Sequence, residues 1–148
     1  MTVSFTIPGK PEGKGRPRFS TRGKYVQTYT PGKTAAYEEL VQLMWRQARS
    51  AKLTGNIWAF ISAIFPIPKR TTKAQRAEME TGTVQYPHKP DADNIAKIIL
   101  DALNGIAYDD DGQVTELRVS KYYGPVPRVN VTLVEADKAK ETVEQHGT

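Results

Sequence analysis

The stretch that most constrains this chain is Asp93-Asn-Ile-Ala-Lys97-Ile-Ile-Leu-Asp101-Ala-Leu-Asn104-Gly105. Ile95, Ile98, Ile99, Ala102 and Leu103 recur at helical spacing, so a helix carries them as one apolar face. Lys89-Pro90 makes a rigid turn ahead of it, and Asn104-Gly105 stops it by the left-handed cap these residues tolerate best. Acids crowd both ends. Asp91 and Asp93 open the helix, and Asp109, Asp110 and Asp111 follow its exit loop. No other stretch of the chain is so dense in carboxylates.

Asp93, Lys97 and Asp101 are related by i, i+4 and i+8, so they share one polar face away from the Ile/Leu stripe. Asp91 sits at the helix start and can turn to the same side. If Asp111 folds back across that face, three or four carboxylates meet around one point. Their repulsion is relieved only by protonation or by a cation. Oxygen-only ligands suit Mg²⁺ or Mn²⁺ in preference to zinc. Each acid alone also has a simpler reading, as a helix cap or part of a solvated turn. A calcium loop of the EF-hand type is excluded. Counting from Asp109, Val114 and Ser120 occupy the positions that require Gly and Glu.

Asp91-Ala-Asp93-Asn94-Ile-Ala-Lys97, Asp101-Ala-Leu and Asp110-Asp111-Gly-Gln-Val together resemble the RusA family of Holliday-junction resolvases, common in prophages. The N-terminal runs FTIPGKPEGKGRPRF and YTPGKTAAYEELV resemble phage members of that family as well. The likeness spans residues 3–134 and implies an endonuclease domain over residues 1–136. It also implies that Asp91, Asp93 and Asp111 are the metal-binding catalytic acids, with Lys97 a base or charge stabiliser. Three consecutive acids stand where the family usually has two, which leaves Asp110 as the alternative ligand to Asp111. The implied cofactor is Mg²⁺, with Mn²⁺ as the other choice. The implied partners are branched DNA and a second copy of the chain, for paired nicks in a four-way junction during recombination and repair.

Charge supports a nucleic-acid partner. The net charge of +5 hides an asymmetry: residues 1–76 hold 14 Lys/Arg against three acids, and residues 77–148 hold 7 against 13. A basic part can hold phosphates while an acid cluster holds cations near the scissile one. Simple solubility explains the charge alone equally well. The loop over residues 10–24 is rich in Gly and Pro, and its Lys14, Arg16 and Arg18 suit a phosphate backbone. With Lys89 they are the DNA-binding candidates; a merely solvated loop is the competing reading.

At 148 residues and 39% hydrophobic content the chain is expected to form one domain without staples. It has no cysteine, signal-like start or membrane-length apolar run, so a cytoplasmic protein is expected. Strands are predicted over residues 3–7, 25–29 and 56–65, the last central. Helices are predicted over 35–48, striped by Leu40, Leu43, Met44 and Trp45, and over 73–80. Residues 82–87 read as a flexible connector. Residues 114–122 and 128–134 read as an antiparallel hairpin around Gly124-Pro125, with Lys121, Tyr122 and Tyr123 near its turn as candidate DNA contacts, at least one of the tyrosines being expected to pack in the core or on the surface instead. Residues 137–148 read as a polar, disordered tail. The expected class is α/β of the α+β kind: one domain, a mixed sheet of four or five strands with packed helices. His88 and His146 are the two histidines, too few for a histidine-rich phosphatase centre, and no Ser/His/Asp triad assembles. Two other functions remain open: a metal-dependent nuclease acting on other branched or single-stranded DNA, and a binding module without chemistry.

Overall fold

The run NIWAFISAIF supplies the strand around which the sheet is built. In a computed structural model, β4 (Ile57–Pro66) has a neighbour on each side, and Ile57, Ala59, Ile61, Ala63 and Phe65 are all buried. Residues 1–15, 18–20, 27–29, 32–49 and 51–136 are described, 18–20 and 27–29 by backbone only. Arg16 and the expected tail over 137–148 lie outside the described residues.

The main sheet has the order β1-β6-β4-β5, with β1 over Thr2–Pro8, β5 over Val114–Gly124 and β6 over Arg128–Glu135. β1 pairs antiparallel with β6 and β6 antiparallel with β4, whereas β5 runs parallel to β4. The class is therefore α+β, with a four-stranded mixed sheet and three α-helices among the described residues, as the patterning predicts. The expected hairpin is not formed. β5 and β6 are consecutive and opposed in direction, but β4 lies between them. The apolar run is buried on its inward positions along its whole length and takes an interior place, while β5, with Leu117 47% exposed, takes the edge. A parallel β4–β5 pair needs a long crossover. The chain supplies it through α2 (Lys73–Glu80) and α3 (Ala92–Leu103).

Helix α1 (Gly32–Ala48) packs on β1 and α3, with Trp45 edge-on to Phe5 at 6.0 Å between ring centroids. Its buried stripe is Thr34, Tyr37, Val41 and Trp45. Leu43 is 47% exposed, and Leu40 and Met44 pack only at the margin of the core. Of the predicted stripe Trp45 is fully buried and only Leu43 turns to solvent; the buried face is shifted toward the Tyr37–Val41–Trp45 row, which is the more continuous one. Two further segments are more ordered than expected. Arg18–Ser20 (β2) pairs with Gln27–Tyr29 (β3), so Arg18 lies in a small two-stranded sheet. The connector over 82–87 runs beside β5: Tyr123 N–H donates to Val84 O, Tyr86 N–H donates to Lys121 O, and the Tyr86 ring stacks on Phe65 at 3.8 Å. Among the described residues no helix is long and apolar enough to cross a membrane.

The strand order can be checked at Gly124, which stands opposite Pro66 in the β4–β5 register. A Cβ there would lie 2.5 Å from Ile64 Cγ2. Gly124→Ala is expected to cost about 1–3 kcal/mol in denaturant unfolding. Its combination with Ile64→Ala should cost clearly less than the two single changes added together. Additive costs would mean that these residues do not meet.

Candidate active site

Helix α3 forms as the spacing predicts. Ile95, Ile98, Ile99, Ala102 and Leu103 are at most 1% exposed, and Ala96 joins them. Gly105, at φ +78°, ends the helix in the left-handed region. With that stripe pinned to the core, the acids face outward. Asp91 is the N-cap residue, yet its side chain makes no capping bond. Asp93 is exposed in the first turn, and Lys97 Nζ stands 4.0 Å from Asp101 Oδ2, a loose pair.

The turn before α3 is held tightly. Lys89 Nζ donates to both carboxylate oxygens of Asp91 at 2.9 Å. That hydrogen bond keeps the Asp91 carboxyl below its usual range against a small opposing effect of burial, aided by the charges of Lys89 and Lys121. Lys121 Nζ, reaching over from β5, donates to the carbonyls of His88 (2.7 Å) and Pro90 (2.9 Å). The Lys89-Pro90 bond is cis.

At the other end of α3 a second group of acids is equally organised. Asp109 pairs with Lys52 at 2.9 Å. Asp110 accepts from Gly112 N–H and caps a 3₁₀ turn over Asp111–Gln113. Gln113 Oε1 accepts from the amides of Asp109 and Asp110, and its Nε2 donates to Gly55 O. Asn104 Oδ1 accepts from the Asp111 amide at 2.8 Å. Tyr108, wholly buried with its hydroxyl donating to Leu100 O, has its phenol pushed far up. Burial is the main cause, and the nearby charges of Asp111, Asp101 and Asp110 add to it.

These two groups stay apart within one chain. Asp111 is tied to Asn104, at the far end of a 12-residue helix from Asp93. Such a helix is about 18 Å long, and the seven-residue step along β5 from Val114 to Lys121 covers about 23 Å. Asp111 therefore does not fold back across the Asp93 face, because Asn104 and Gln113 hold its loop where it is. Among the described residues no three acids or histidines come together as a metal-ligand set. The donor chemistry nevertheless fits a hard cation. Asp93 and Asp111 are exposed, and among the described residues their carboxylates accept no hydrogen bond or ion pair.

The basic loop also meets the site differently from the expectation. Residues 11–15 run between α1 and α3: Lys14 N–H donates to Asn94 O, and Gly15 N–H donates to Thr34 Oγ1. The approach is so close that a Cβ on Gly13 would stand 2.7 Å from Pro90 Cβ. Lys14 is not on a solvated arm. Its ammonium lies 3.1 Å from Glu38 and 3.3 Å from Asp101, with only 19% of the side chain exposed. Burial alone would lower its pKa, but the hydrogen bonds to Glu38 and Asp101 outweigh it and raise it.

A family model for endodeoxyribonuclease RusA matches residues 8–134. The chain belongs to the RusA endodeoxyribonuclease family. A protein of Bacillus subtilis (strain 168) named only as uncharacterized protein YqaN is 37% identical over 136 residues, 90% of this chain and 96% of that protein. Membership brings the coarse activity with it, hydrolysis of DNA phosphodiesters by an endonuclease, in a family that acts on branched junctions and is generally dependent on a divalent metal.

Within this RusA chain, sequence reasoning missed the residues that hold the acids. Asn104 reads as a helix stop, Gln113 as a loop residue and Lys121 as a DNA contact, yet each donates or accepts inside the protein. The Gln-Val after the acids marks Gln113 in the family pattern; Lys121 has no local signal at all.

Lys14 generates a prediction. Lys14→Ala leaves Glu38 and Asp101 facing each other and is expected to cost about 1–2 kcal/mol, between an exposed and a buried pair. A raised folded-state pKa means this contribution is complete below the ordinary lysine value of 10.5 and fades as pH rises through the folded value. Thermal unfolding of both proteins from neutral pH to pH 11 should show a constant gap that closes only at the alkaline end.

Proposed function

We propose that this protein is a Mg²⁺-dependent, structure-selective endonuclease that resolves four-way DNA junctions by paired phosphodiester hydrolysis. The observation that carries the reading is the pair of unclaimed carboxylates, Asp93 and Asp111, in a RusA-family chain whose other acids along α3 and its exit loop are occupied by cations or a backbone amide. Asp91, Asp93 and Asp111 are the proposed metal ligands, with Asp110 in reserve as the residue that shapes the Asp111 loop. A divalent ion would supply Lewis-acid charge at the scissile phosphate and make water acidic enough to attack. Lys97, only loosely paired with Asp101, would present its ammonium to the attacked phosphate as charge develops. Lys89 would hold Asp91 in the free protein and turn to phosphate once Asp91 has another cation.

The separation of the acids along α3 favours a homodimer for a physical reason. One chain offers Asp91 and Asp93 at one end of the helix and Asp111 at the other, so each set is incomplete alone. Two copies related by a two-fold axis, with α3 helices antiparallel, would bring Asp91 and Asp93 of one beside Asp111 of the other, twice. Two such centres suit paired nicks. The protein surface toward DNA would be the basic N-terminal part, with Arg16, Arg18 and Lys89 on phosphates; Lys14 would act chiefly by fixing the loop against α3.

Cleavage of synthetic four-way, flap, single-stranded and linear DNA, with and without Mg²⁺, tests the activity and separates it from a nuclease of other preference or a binding module. Asp93→Asn and Asp111→Asn should each lose cleavage while keeping junction binding, whereas Asp110→Asn should be mild. Mixing the two inactive proteins after unfolding and refolding should restore nicking, because a heterodimer holds one intact shared centre. No restored activity would mean that each centre is built within one chain.

The basic loop is tested through salt. Freeing one phosphate from its cation should reduce the slope of log K against log[salt] by about 0.9. The Arg16→Ala, Arg18→Ala double variant should therefore flatten the slope by about two, weakening junction and duplex binding alike. An unchanged slope would remove both residues from the DNA surface.

A further inference from the structure

Lys121 stands where an apolar residue is expected. In the β4–β5 register it lies opposite Ala63, whose side chain is fully buried, and its same-face neighbours on β5 are Val119 and Tyr123. This is the face covered by the helices, at the end of the edge strand nearest the start of α3. A lysine there is expensive unless its ammonium is satisfied. Both of its hydrogen bonds go to one turn. The ammonium donates to His88 O and Pro90 O, stands 5.6 Å from the centre of the Tyr86 ring, and the Lys121 carbonyl accepts from Tyr86 N–H. Tyr86 Oη in its turn donates to Lys89 O at 3.0 Å. Three successive carbonyls, those of His88, Lys89 and Pro90, are thus gripped by two side chains, and the next residue is Asp91.

Packing fixes part of the turn, through the Tyr86 ring stacked on Phe65 and the close approach of Gly13 to Pro90, but not its other side. Beneath the turn lies an open cleft of ≈ 260 Å³ bordered by Tyr86, Pro87, Ala92, Val119 and Lys121. With space on that side, hydrogen bonds to the ammonium set where the turn sits, and hence where the first turn of α3 aims its acids. We infer that Lys121 is a positioning residue of the acid site, its ammonium acting as the internal post around which residues 86–90 fold to present Asp91 and Asp93. The inference rests on the nuclease reading for its consequence, but its geometry does not.

The chain has no cysteine, so Lys121→Cys can be alkylated at one place with 2-bromoethylamine, rebuilding the ammonium on a thioether stem of nearly the same length. Lys121→Met keeps the stem without the charge. Three measurements apply: amide hydrogen exchange over residues 84–91, Mn²⁺ binding without DNA, and junction cleavage. Lys121→Met is expected to fold, to lose protection at the Tyr86 amide and to bind Mn²⁺ at least tenfold more weakly. Its cleavage should fall in kcat more than in KM. Alkylated Lys121→Cys should recover all three, and the unalkylated form should not. If the Met variant does not fold, Lys121→Gln, which keeps one donor and no charge, carries the same comparison.

Lys121→Met with wild-type protection and Mn²⁺ affinity would overturn the inference, as would failure of alkylation to restore either. The wild type and Asp93→Asn are run beside these variants. If the wild type neither binds Mn²⁺ nor cuts, the nuclease reading fails, and exchange at residues 84–91 alone decides the case for Lys121.

Discussion

Burial of the α3 stripe is the interaction on which the rest of this structure depends. Five side chains at 0–1% exposure, the three Ile and Leu103 each worth about 1.5–3 kcal/mol on leaving water, fix both the axis and the rotation of the helix. Once those are set, the polar residues have no choice of direction: Asp93, Lys97 and Asp101 face out, and Asp91 and Asp111 take its two ends. The distribution of negative charge follows from apolar packing. It owes little to attraction among the charged groups themselves.

Like charges gathered that way must be held in place, and the molecule uses polar side chains inserted from elsewhere in the chain. Lys14 comes in from the N-terminal loop to Glu38 and Asp101, and Lys121 from β5 to the turn before Asp91. Gln113 and Asn104 tie the loop of Asp109, Asp110 and Asp111. The two lysines are partly screened from water, where a charge-assisted hydrogen bond contributes more than on an open surface. Around α3 this leaves the Asp93 and Asp111 carboxylates without a hydrogen bond or ion pair among the described residues.

For a member of a family of DNA endonucleases this arrangement has a consequence for assembly. Hydrolysis by hard cations needs several oxygens at one point. A rigid helix of about 18 Å keeps two of the three proposed ligands far from the third. Rigidity that forbids closure inside one chain is the physical reason for proposing a two-fold partner.

Much of this was legible without coordinates. The helical period of Ile95 to Leu103, the stop at Gly105, the apolar central strand and the acid clusters all depend on local spacing and burial, and the family pattern rests on the same residues. The order of the strands was not legible. Gly124-Pro125 looks like a hairpin turn from either side, and only competition for the sheet interior put β4 between β5 and β6. The same holds for Lys14 and Lys121, both of which look like free surface cations in the sequence. Their partners, Glu38 and Asp101 in one case and the carbonyls of His88 and Pro90 in the other, lie 24 or more residues away along the chain. A sequence determines which faces must be buried because burial depends on local periodicity. Which charge meets which carbonyl is decided by tertiary structure, because that depends on how the buried faces stack.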